Sequence, residues 1–404
     1  MSFQTGLSGL NAASRSLDVI GNNIANANTI GMKTGRAEFA DLVASSIGVS
    51  GGGSPPGIGV EVATVSQQFV QGNITITGND LDVAVNGSGF FQLSMLDGST
   101  AYTRDGAFKL DRLGNIVTNN GAKVMGYPTD KAGVATSTTP QALQLPTTAP
   151  IAANQTTTVS AEFNLDARAP IAATAVPPTP RTTYGTSLTA YDSQGVPLPV
   201  NLYFTRVTTT ATDNWDVYDV ASGGLPVGQL NFDASGKLVG NTLANLTLTP
   251  VPPTIVAPFA VTVDIANATQ FGAPFGVSNL TQDGYAPGEL TGLKIGANGI
   301  ITARYSNGQT QGAGQVALAD FRNVQGLSQI GAGDWVETFA SGQPVLGAPQ
   351  QGKFGALRSG ALEESNVDLT QELVNMMTAQ RAYQANAQTI KTQDQVLSTL
   401  VNLR

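Results

Sequence analysis

The chain has 404 residues, enough for two or three domains, and 41% of them are hydrophobic while only 12% are charged. A net charge of −8 argues against nucleic acid and anionic membranes as partners, because no basic stripe could neutralise phosphates. Cysteine and histidine are both absent, which excludes disulfides, thiolate metal sites and every catalytic arrangement built on a Ser/His or Cys/His pair.

The first predicted element is an amphipathic helix over about residues 3–24. Its apolar side chains recur every seven residues, the spacing of a helix that packs along another helix, and they are Phe3, Leu10, Leu17 and Ile24. A second line on the same helix consists of Leu7, Ser14 and Gly21. The side chains of this line become smaller along the helix, which would let another helix approach closely. Ser2 is predicted to be the N-cap. The alternative is one helix docked on its own globular core.

The interior of the chain is predicted to be β-structure. Residues 49–59 are rich in glycine and proline and predict a linker or irregular arm. Alternating apolar residues from Leu81 onward predict strands. Four-residue turns that start with Asp or Gly and end with Gly predict separate hairpins at 111–114, 192–195, 233–236 and 296–299.

A second β-domain is predicted beyond a proline-rich stretch at 140–180, which indicates loops, edge strands and a domain boundary. Its strand candidates are 200–205, 215–220 and 259–265, and the chain is expected to return to the first β-domain near 284–288. The predicted fold class is multidomain and mainly β, with paired terminal α-helices that form a coiled-coil-like domain and two nested β-domains. The predicted domains are 1–78 plus 364–404, 79–151 plus 284–363, and 152–283.

The last predicted element is a long helix over about residues 367–404. Residues 366–404 contain no glycine or proline, and apolar side chains again recur at heptad spacing, at Leu369, Met376, Tyr383, Ile390 and Leu397. A second line consists of Leu373, Gln380, Ala387, Asp394 and Val401. Ser365 or Asp368 is predicted to cap its start. At roughly 1.5 Å per residue the helix would be about 55 Å long, too long for the inside of a compact β-domain.

No motif predicts a catalytic, cofactor or metal site. Residues 312–317 fit the pattern GxGxxA, but the alternation over 316–321 predicts a strand where a phosphate-binding helix would be required. Adjacent Glu363 and Glu364 are predicted to be solvated residues that lead into the last helix. Two aspartate pairs are too isolated to define a cation or glycosidase site: Asp80 with Asp82, and Asp105 with Asp111. The residues therefore predict an assembling protein that is not an enzyme and has no cofactor.

Sequence stretches at both ends resemble the signatures of the bacterial flagellar rod and hook axial proteins. At the N-terminal end these are residues 7–13 (LSGLNAA) and 17–33 (LDVIGNNIANANTIGMK). At the C-terminal end they are residues 360–369 (GALEESNVDL) and 372–386 (ELVNMMTAQRAYQAN). Residues 89–93 and 126–128 add to the match, and the interior from about 152 to 282 matches weakly. Within this family the chain is most similar to the hook members.

The resemblance implies a structural subunit that polymerises into a curved, flexible tube, the universal joint that transmits motor torque from the rod to the filament. It implies unfolded export through the flagellar type III apparatus without a cleavable signal peptide, and a place in the extracellular hook. This replaces the cytoplasmic location that the residues alone would suggest. The implied partners are other copies of the chain, the distal rod, the hook cap, the hook-filament junction protein and the export apparatus, with neither nucleic acid nor membrane.

The helix seams predict the polymerisation interface, which consists of Phe3, Leu7, Leu10, Leu17, Ile24, Leu369, Leu373, Met376, Tyr383, Ile390, Leu397 and Val401. We expect a chain that ends at Gly360 to keep folded β-domains and to lose polymerisation. Two alternatives are a distal-rod or other axial subunit, which would share the terminal signatures, and a secreted carbohydrate-binding or adhesive β-protein.

Overall fold

The computed structural model describes residues 2–43, 57–146, 150–174, 176–209, 212–222, 224–243, 245–250 and 256–402. Two compact units are present. Unit 1 comprises Met1–Thr148, Gly292–Arg304 and Thr310–Arg404, and unit 2 comprises Ala149–Thr291 and Tyr305–Gln309. Unit 2 is therefore inserted into the sequence of unit 1. The predicted fold class is confirmed, because the chain is mainly β and its two terminal helices are in contact. The exact three-part division stays a prediction.

Both long helices belong to unit 1. Helix α1 spans Ser2–Ala25 and helix α2 spans Leu369–Asn402, a length of about 51 Å. Asp368 caps α2, since its Oδ1 accepts hydrogen bonds from the amides of Thr370 (2.9 Å) and Gln371 (3.2 Å). The predicted cap at Ser2 is wrong, because the helix already includes that residue. None of the described helices is both long and apolar enough to cross a membrane.

Unit 1 contains a 13-stranded sheet whose main path is β21-β22-β23-β9-β5-β6-β26-β25. Three two-stranded pairs accompany it: β1 with β2, β3 with β29, and β4 with β28. The early strands are β1 (Gly35–Val43), β2 (Gly57–Gln67), β3 (Ile74–Ile76), β4 (Val83–Asn86), β5 (Phe90–Ser94), β6 (Thr100–Thr103), β7 (Lys109–Leu110), β8 (Ile116–Val117), β9 (Lys123–Tyr127) and β10 (Gln141–Ala142). The later strands are β21 (Leu290–Ile295), β22 (Ile300–Tyr305), β23 (Thr310–Val316), β24 (Leu318–Asp320), β25 (Ser328–Gly331), β26 (Asp334–Val336), β27 (Val345–Gly347), β28 (Ala356–Ser359) and β29 (Ala361–Glu363).

Unit 2 consists of two five-stranded sheets that share one buried cluster. The first is the antiparallel meander β12-β13-β14-β15-β16, and in the second β11 pairs with β18, β19 and β20. Phe163 from the second sheet and Phe204 and Trp215 from the first are all almost fully buried in this cluster. The strands are β11 (Thr158–Asp166), β12 (Gly185–Tyr191), β13 (Pro197–Thr209), β14 (Asp213–Tyr218), β15 (Gly228–Phe232), β16 (Leu238–Asn241), β17 (Asn245–Leu248), β18 (Phe259–Asp264), β19 (Thr269–Phe271) and β20 (Gly276–Gln282).

Local turn chemistry is confirmed where the sequence predicted it. In each of the four turns the amide of the closing glycine donates to the carbonyl of the first residue. The φ angles of these glycines are positive, at 83° for Gly114, 81° for Gly195, 78° for Gly236 and 79° for Gly299. The strand predicted over 316–321 is observed as β24 (Leu318–Asp320), directly after β23, so a strand and not a helix follows the GxGxxA glycines. The three strand candidates in unit 2 overlap β13, β14 and β18.

Two segments differ from the prediction. Most of the predicted arm at 49–59 lies outside the described residues, but its last residues, 57–59, belong to β2, which pairs with the unpredicted strand β1 over nine register positions. Within the proline-rich stretch, β11 is an interior strand and not an edge strand. Its alternation of buried and exposed side chains fits a strand whose one face covers a core.

Candidate functional site

The two terminal helices pack against each other in antiparallel orientation. A Cβ atom on Gly6 would lie 3.2 Å from Cγ1 of Ile390, and one on Gly9 would lie 2.9 Å from Nδ2 of Asn386. At the opposite end, residues near the end of α1 and the beginning of α2 line one cavity, among them Ile20 and Glu372. The start of α1 therefore lies beside the second half of α2, and the end of α1 lies near the beginning of α2.

The close approach of the helices uses a different face of α1 from the predicted one. Gly6, Ala13 and Ile20 are buried in the described chain, whereas Leu7 is 45% exposed. Gly21 has no atom within 4 Å of the position of a Cβ atom, so α2 of the same chain does not approach along the line of Leu7, Ser14 and Gly21, and close approach there stays a prediction for a helix of another copy. Small residues at positions 6, 9 and 13 lie on one helix face, and this spacing was the available signal in the sequence.

A matched pair of glycine substitutions tests this packing in the monomer. We expect Gly9→Leu to reduce the hydrogen-exchange protection of the α1 amides by roughly 10- to 100-fold, because a larger side chain forces the helices apart. Gly21→Leu is the control, since that position is open, and it should leave the protection unchanged or raise it. Unchanged or raised protection in both variants would show that helix propensity, and not packing against α2, governs α1.

The predicted interface residues remain at the surface of the single chain. Six are exposed and five are partly exposed, and the side chain of Val401 lies outside the described residues. The exposed residues are Phe3, Leu7, Leu369, Leu373, Tyr383 and Leu397, and the partly exposed ones are Leu10, Leu17, Ile24, Met376 and Ile390. The helix pair thus leaves apolar surface uncovered along both helices.

The last turns of α2 extend beyond the beginning of α1. Because Gly6 faces Ile390 and α1 begins at Ser2, the chain's own α1 can cover α2 only to about residue 394. Val396 and Leu397 follow this point and are 48% and 50% exposed. This part of α2 has no cover from α1 of its own chain.

Unit 1 contains a buried ion cluster that consists of Lys33, Arg104 and Glu363. In the sequence, all three residues come after α1 and before α2. Lys33 Nζ donates to Glu363 Oε1 at 2.5 Å and to the carbonyl of Val70 at 2.9 Å, and Arg104 Nη1 donates to Glu363 Oε2 at 3.2 Å. The amide of Gly72 also donates to Glu363 Oε1, at 2.9 Å. The Lys33 and Glu363 side chains are only 1% and 0% exposed. One carboxylate therefore serves two buried cations.

The charges of this cluster depend on one another. Burial lowers the pKa of the Lys33 ammonium below its usual 10.5, and the negative charge of Glu363 opposes that change. Burial also lowers the pKa of the Arg104 guanidinium, again against the effect of Glu363. The guanidinium carbon lies 5.2 Å from the centre of the Phe90 ring, a cation–π contact that further compensates for its burial.

The prediction that Glu363 is a solvated residue before the last helix is wrong. Glu363 ends strand β29, which pairs with β3, so its side chain is directed into unit 1. Glu364 is exposed, as predicted. No local pattern marks the difference between the two glutamates, because the partners of Glu363 lie 330 and 259 positions away.

Two asparagines connect each helix to the same region. Asn366, just before α2, accepts hydrogen bonds from the amide and hydroxyl of Thr34, both at 2.7 Å, and donates to the carbonyl of Gln68 at 2.7 Å. Asn23, within α1, exchanges two hydrogen bonds with the backbone of Gly35, at 2.8 and 2.9 Å. The ion cluster and these amides hold the end of α1 and the beginning of α2 together, and sequence reasoning missed all of these residues.

The described residues offer no alternative chemistry. They contain no group of three or more His, Cys, Asp and Glu side chains that could hold a metal ion. Asp82 accepts from the hydroxyl of Thr77 and the side-chain amide of Asn79 within one turn. The Asp82 carboxylate is therefore a structural feature of this turn.

Paired terminal helices with uncovered apolar faces, fixed to a β-body, define the class of axial subunits that build an extended assembly. Four family models match in chain order: flagella basal body rod protein at 3–33, flagellar hook protein FlgE/F/G D1 domain at 84–162, flagellar basal body protein FlaE D2 domain at 164–285, and flagellar basal body rod FlgEFG protein C-terminal at 358–403.

Similarity to full-length relatives narrows this class of axial subunits to the flagellar hook proteins. The flagellar hook proteins FlgE of Escherichia coli K12 and Salmonella typhimurium LT2 are each 42% identical, over 100% of both chains. FlgE of Treponema pallidum is 34% identical over 100% of this chain and 99% of its own. The solved Helicobacter pylori hook protein FlgE2 shares the fold, with a TM-score of 0.55 and 16% identity, over 72% of this chain and 100% of its own.

The chain belongs to the flagellar hook protein FlgE family. It is a structural subunit of the flagellar hook, in the extracellular part of the flagellum, and it is not an enzyme. The resemblance stated from the terminal signatures is confirmed, and the hook assignment replaces the distal-rod and adhesive alternatives.

Proposed function

We propose that the helix pair is the polymerisation domain of this hook subunit, and that copies of the chain cover each other's exposed apolar seams. The observation that carries this proposal is that none of the eleven described interface side chains is fully buried in the single chain. The uncovered end of α2 adds to it, since no α1 residue of the same chain reaches that far. Full burial of an exposed Leu or Phe contributes about 1.5–3 kcal/mol. Because these side chains are about half exposed in the monomer, each would stabilise a polymer by roughly half of that amount.

The proposed arrangement has three layers. The terminal helices, with the linker arm, form an inner tube from residues 1–78 and 364–404. The β-domain of 79–151 and 284–363 forms a middle shell, and the inserted domain of 152–283 lies outside. Only 12% of the residues are charged, so contacts between neighbouring protofilaments would slide with small changes in energy as a bent hook rotates.

The proposed partners follow the same logic. Homopolymerisation is the first, with the distal rod at one end and the hook-filament junction protein at the other. The hook cap would guide assembly, and the flagellar type III export apparatus would deliver the unfolded chain. Neither nucleic acid nor a membrane is part of the proposal.

Aspartate substitutions on α2 test the interface. We expect Leu373→Asp and Leu397→Asp to raise the critical concentration for polymerisation by about 10-fold or more, because a charge replaces buried apolar surface. Both side chains are about half exposed in the monomer, at 51% and 50%, so the free energy of unfolding should change by no more than about 0.5 kcal/mol. Sedimentation and electron microscopy of the purified chain would measure the first quantity, and thermal unfolding the second.

Thr392→Asp is the control, because Thr392 is exposed and lies about 100° around the helix from Leu373. It should polymerise at a concentration close to that of the unaltered chain. Polymerisation of the two leucine variants at the unaltered concentration would show that the α2 seam does not form the interface.

A further inference from the structure

A cavity of 410 Å³ between α1, the beginning of β1 and the first half of α2 contains an incompletely bonded carboxylate. Glu372 lines this cavity and is only 8% exposed. Its Oε2 has no hydrogen-bond partner among the residues that the structure describes and is itself covered from solvent, so a donor reaches it only when the side chain turns into the cavity. Its position in the first turn of α2 is favourable for a negative charge, but helix position alone does not supply a donor to this atom.

The cation that lines this cavity is already engaged. Arg36 is that cation, but its Nη2 lies 2.9 Å from Oε1 of Glu38, and its side chain is 67% exposed. The remaining cavity wall is uncharged, with polar residues such as Ser16 and Asn23 and apolar ones such as Val19 and Ile20. The cavity therefore has room and negative charge, and it lacks a bonded cation of its own.

We propose that this cavity receives the guanidinium of Arg381 from a second copy of the chain. This inference rests on the proposed polymerisation through the helix pair. Arg381 is exposed, and within the described part of the chain it takes part in no ion pair or hydrogen bond that the structure shows. A guanidinium has the flat, forked donor geometry that suits a buried carboxylate.

The spacing along α2 explains how the contact would repeat. Arg381 follows Glu372 by nine residues, which places it about 180° around the helix, on the opposite face. Each copy would accept a guanidinium on one face of α2 and donate one from the other. Such a contact joins two different surfaces, and a contact of this kind extends into a helical polymer instead of closing into a dimer.

Charge reversal tests the pairing with the full-length chain. We expect Glu372→Arg and Arg381→Glu, each alone, to raise the critical concentration for polymerisation by about 30-fold or more, since each leaves a buried charge opposite a like charge. The double variant, in which the two charges are exchanged, should recover at least a tenfold part of that loss. Thermal unfolding of the monomer should be unchanged in Arg381→Glu, because Arg381 is exposed, and this variant separates an assembly defect from a folding defect. The Glu372→Arg monomer should unfold at a lower temperature, because it carries a cation at a buried position in the first turn of α2.

Two control variants decide the identity of the cation. Lys391→Glu, an exposed cation about 100° around α2 from Glu372, should fail to rescue Glu372→Arg. Arg36→Glu should fail as well. Recovery of polymerisation when Glu372→Arg is combined with Arg36→Glu, or no recovery when it is combined with Arg381→Glu, would overturn the inference. Polymerisation of the unaltered chain in the same buffer would leave the proposed function intact in either case.

Discussion

Ending the chain at Val367 is expected to abolish polymerisation while both β-units remain folded. This truncation removes all of α2 and leaves α1 without the helix that packs against Gly6 and Gly9. The ion cluster stays complete, because Glu363 is retained. Sedimentation should show no polymer even at concentrations about 100-fold above the critical concentration of the full chain, since the apolar contacts of a whole 34-residue helix are lost.

The structure favours Val367 as the end of the truncated chain, whereas the sequence suggested Gly360. A chain that ends at Gly360 also loses β29 and Glu363, so Lys33 and Arg104 become buried cations without a counter-ion. We expect this shorter chain to unfold in unit 1 at a lower temperature than the chain that ends at Val367. Filaments formed by the Val367 truncation would contradict the role of α2 in assembly.

The second large effect is expected from Glu363→Gln. The substitution keeps the shape of the side chain but removes the one negative charge that serves two buried cations. Breaking a buried ion pair in this way costs about 3–5 kcal/mol. Calorimetry of the monomer should show a lower unfolding temperature for unit 1, while the transition of unit 2 stays unchanged because its core is separate.

The neighbouring glutamate provides a matched control. Glu364 is exposed, and its described contact is a 3.4 Å hydrogen bond from the side chain of Asn73. Glu364→Gln should change the free energy of unfolding by no more than about 0.5 kcal/mol. If both substitutions lowered the unfolding temperature equally, net charge and not the buried cluster would be responsible.

Features that depend on nearby residues were predictable from the sequence. The two helices follow from the heptad spacing and from the lack of glycine and proline after residue 366, and the cap at Asp368 follows from its position before the first turn. The hairpin turns follow from the need for a glycine at positive φ. The family followed from the terminal signatures, since they span both ends of the chain.

Features that depend on contacts between distant residues were not predictable. Lys33 carries no sign of burial in its own segment, and its partner lies 330 positions away. The adjacent glutamates 363 and 364 look alike in the sequence, and only the pairing of β29 with β3 separates the buried one from the exposed one. The packing face of α1 was missed because the large apolar residues form the more regular pattern, while the contact uses Gly6 and Gly9.

The ion cluster also sets an order for folding. Lys33 and Glu363 come from opposite ends of the chain, so unit 1 reaches its final state only after both ends are present on the same side of any barrier. Closing a loop of this length carries an entropic cost and makes the pairing a late, slow event. If the chain is exported unfolded through a channel, as proposed, Lys33 and Glu363 cannot pair until both have left it, and unit 1 completes its fold only outside.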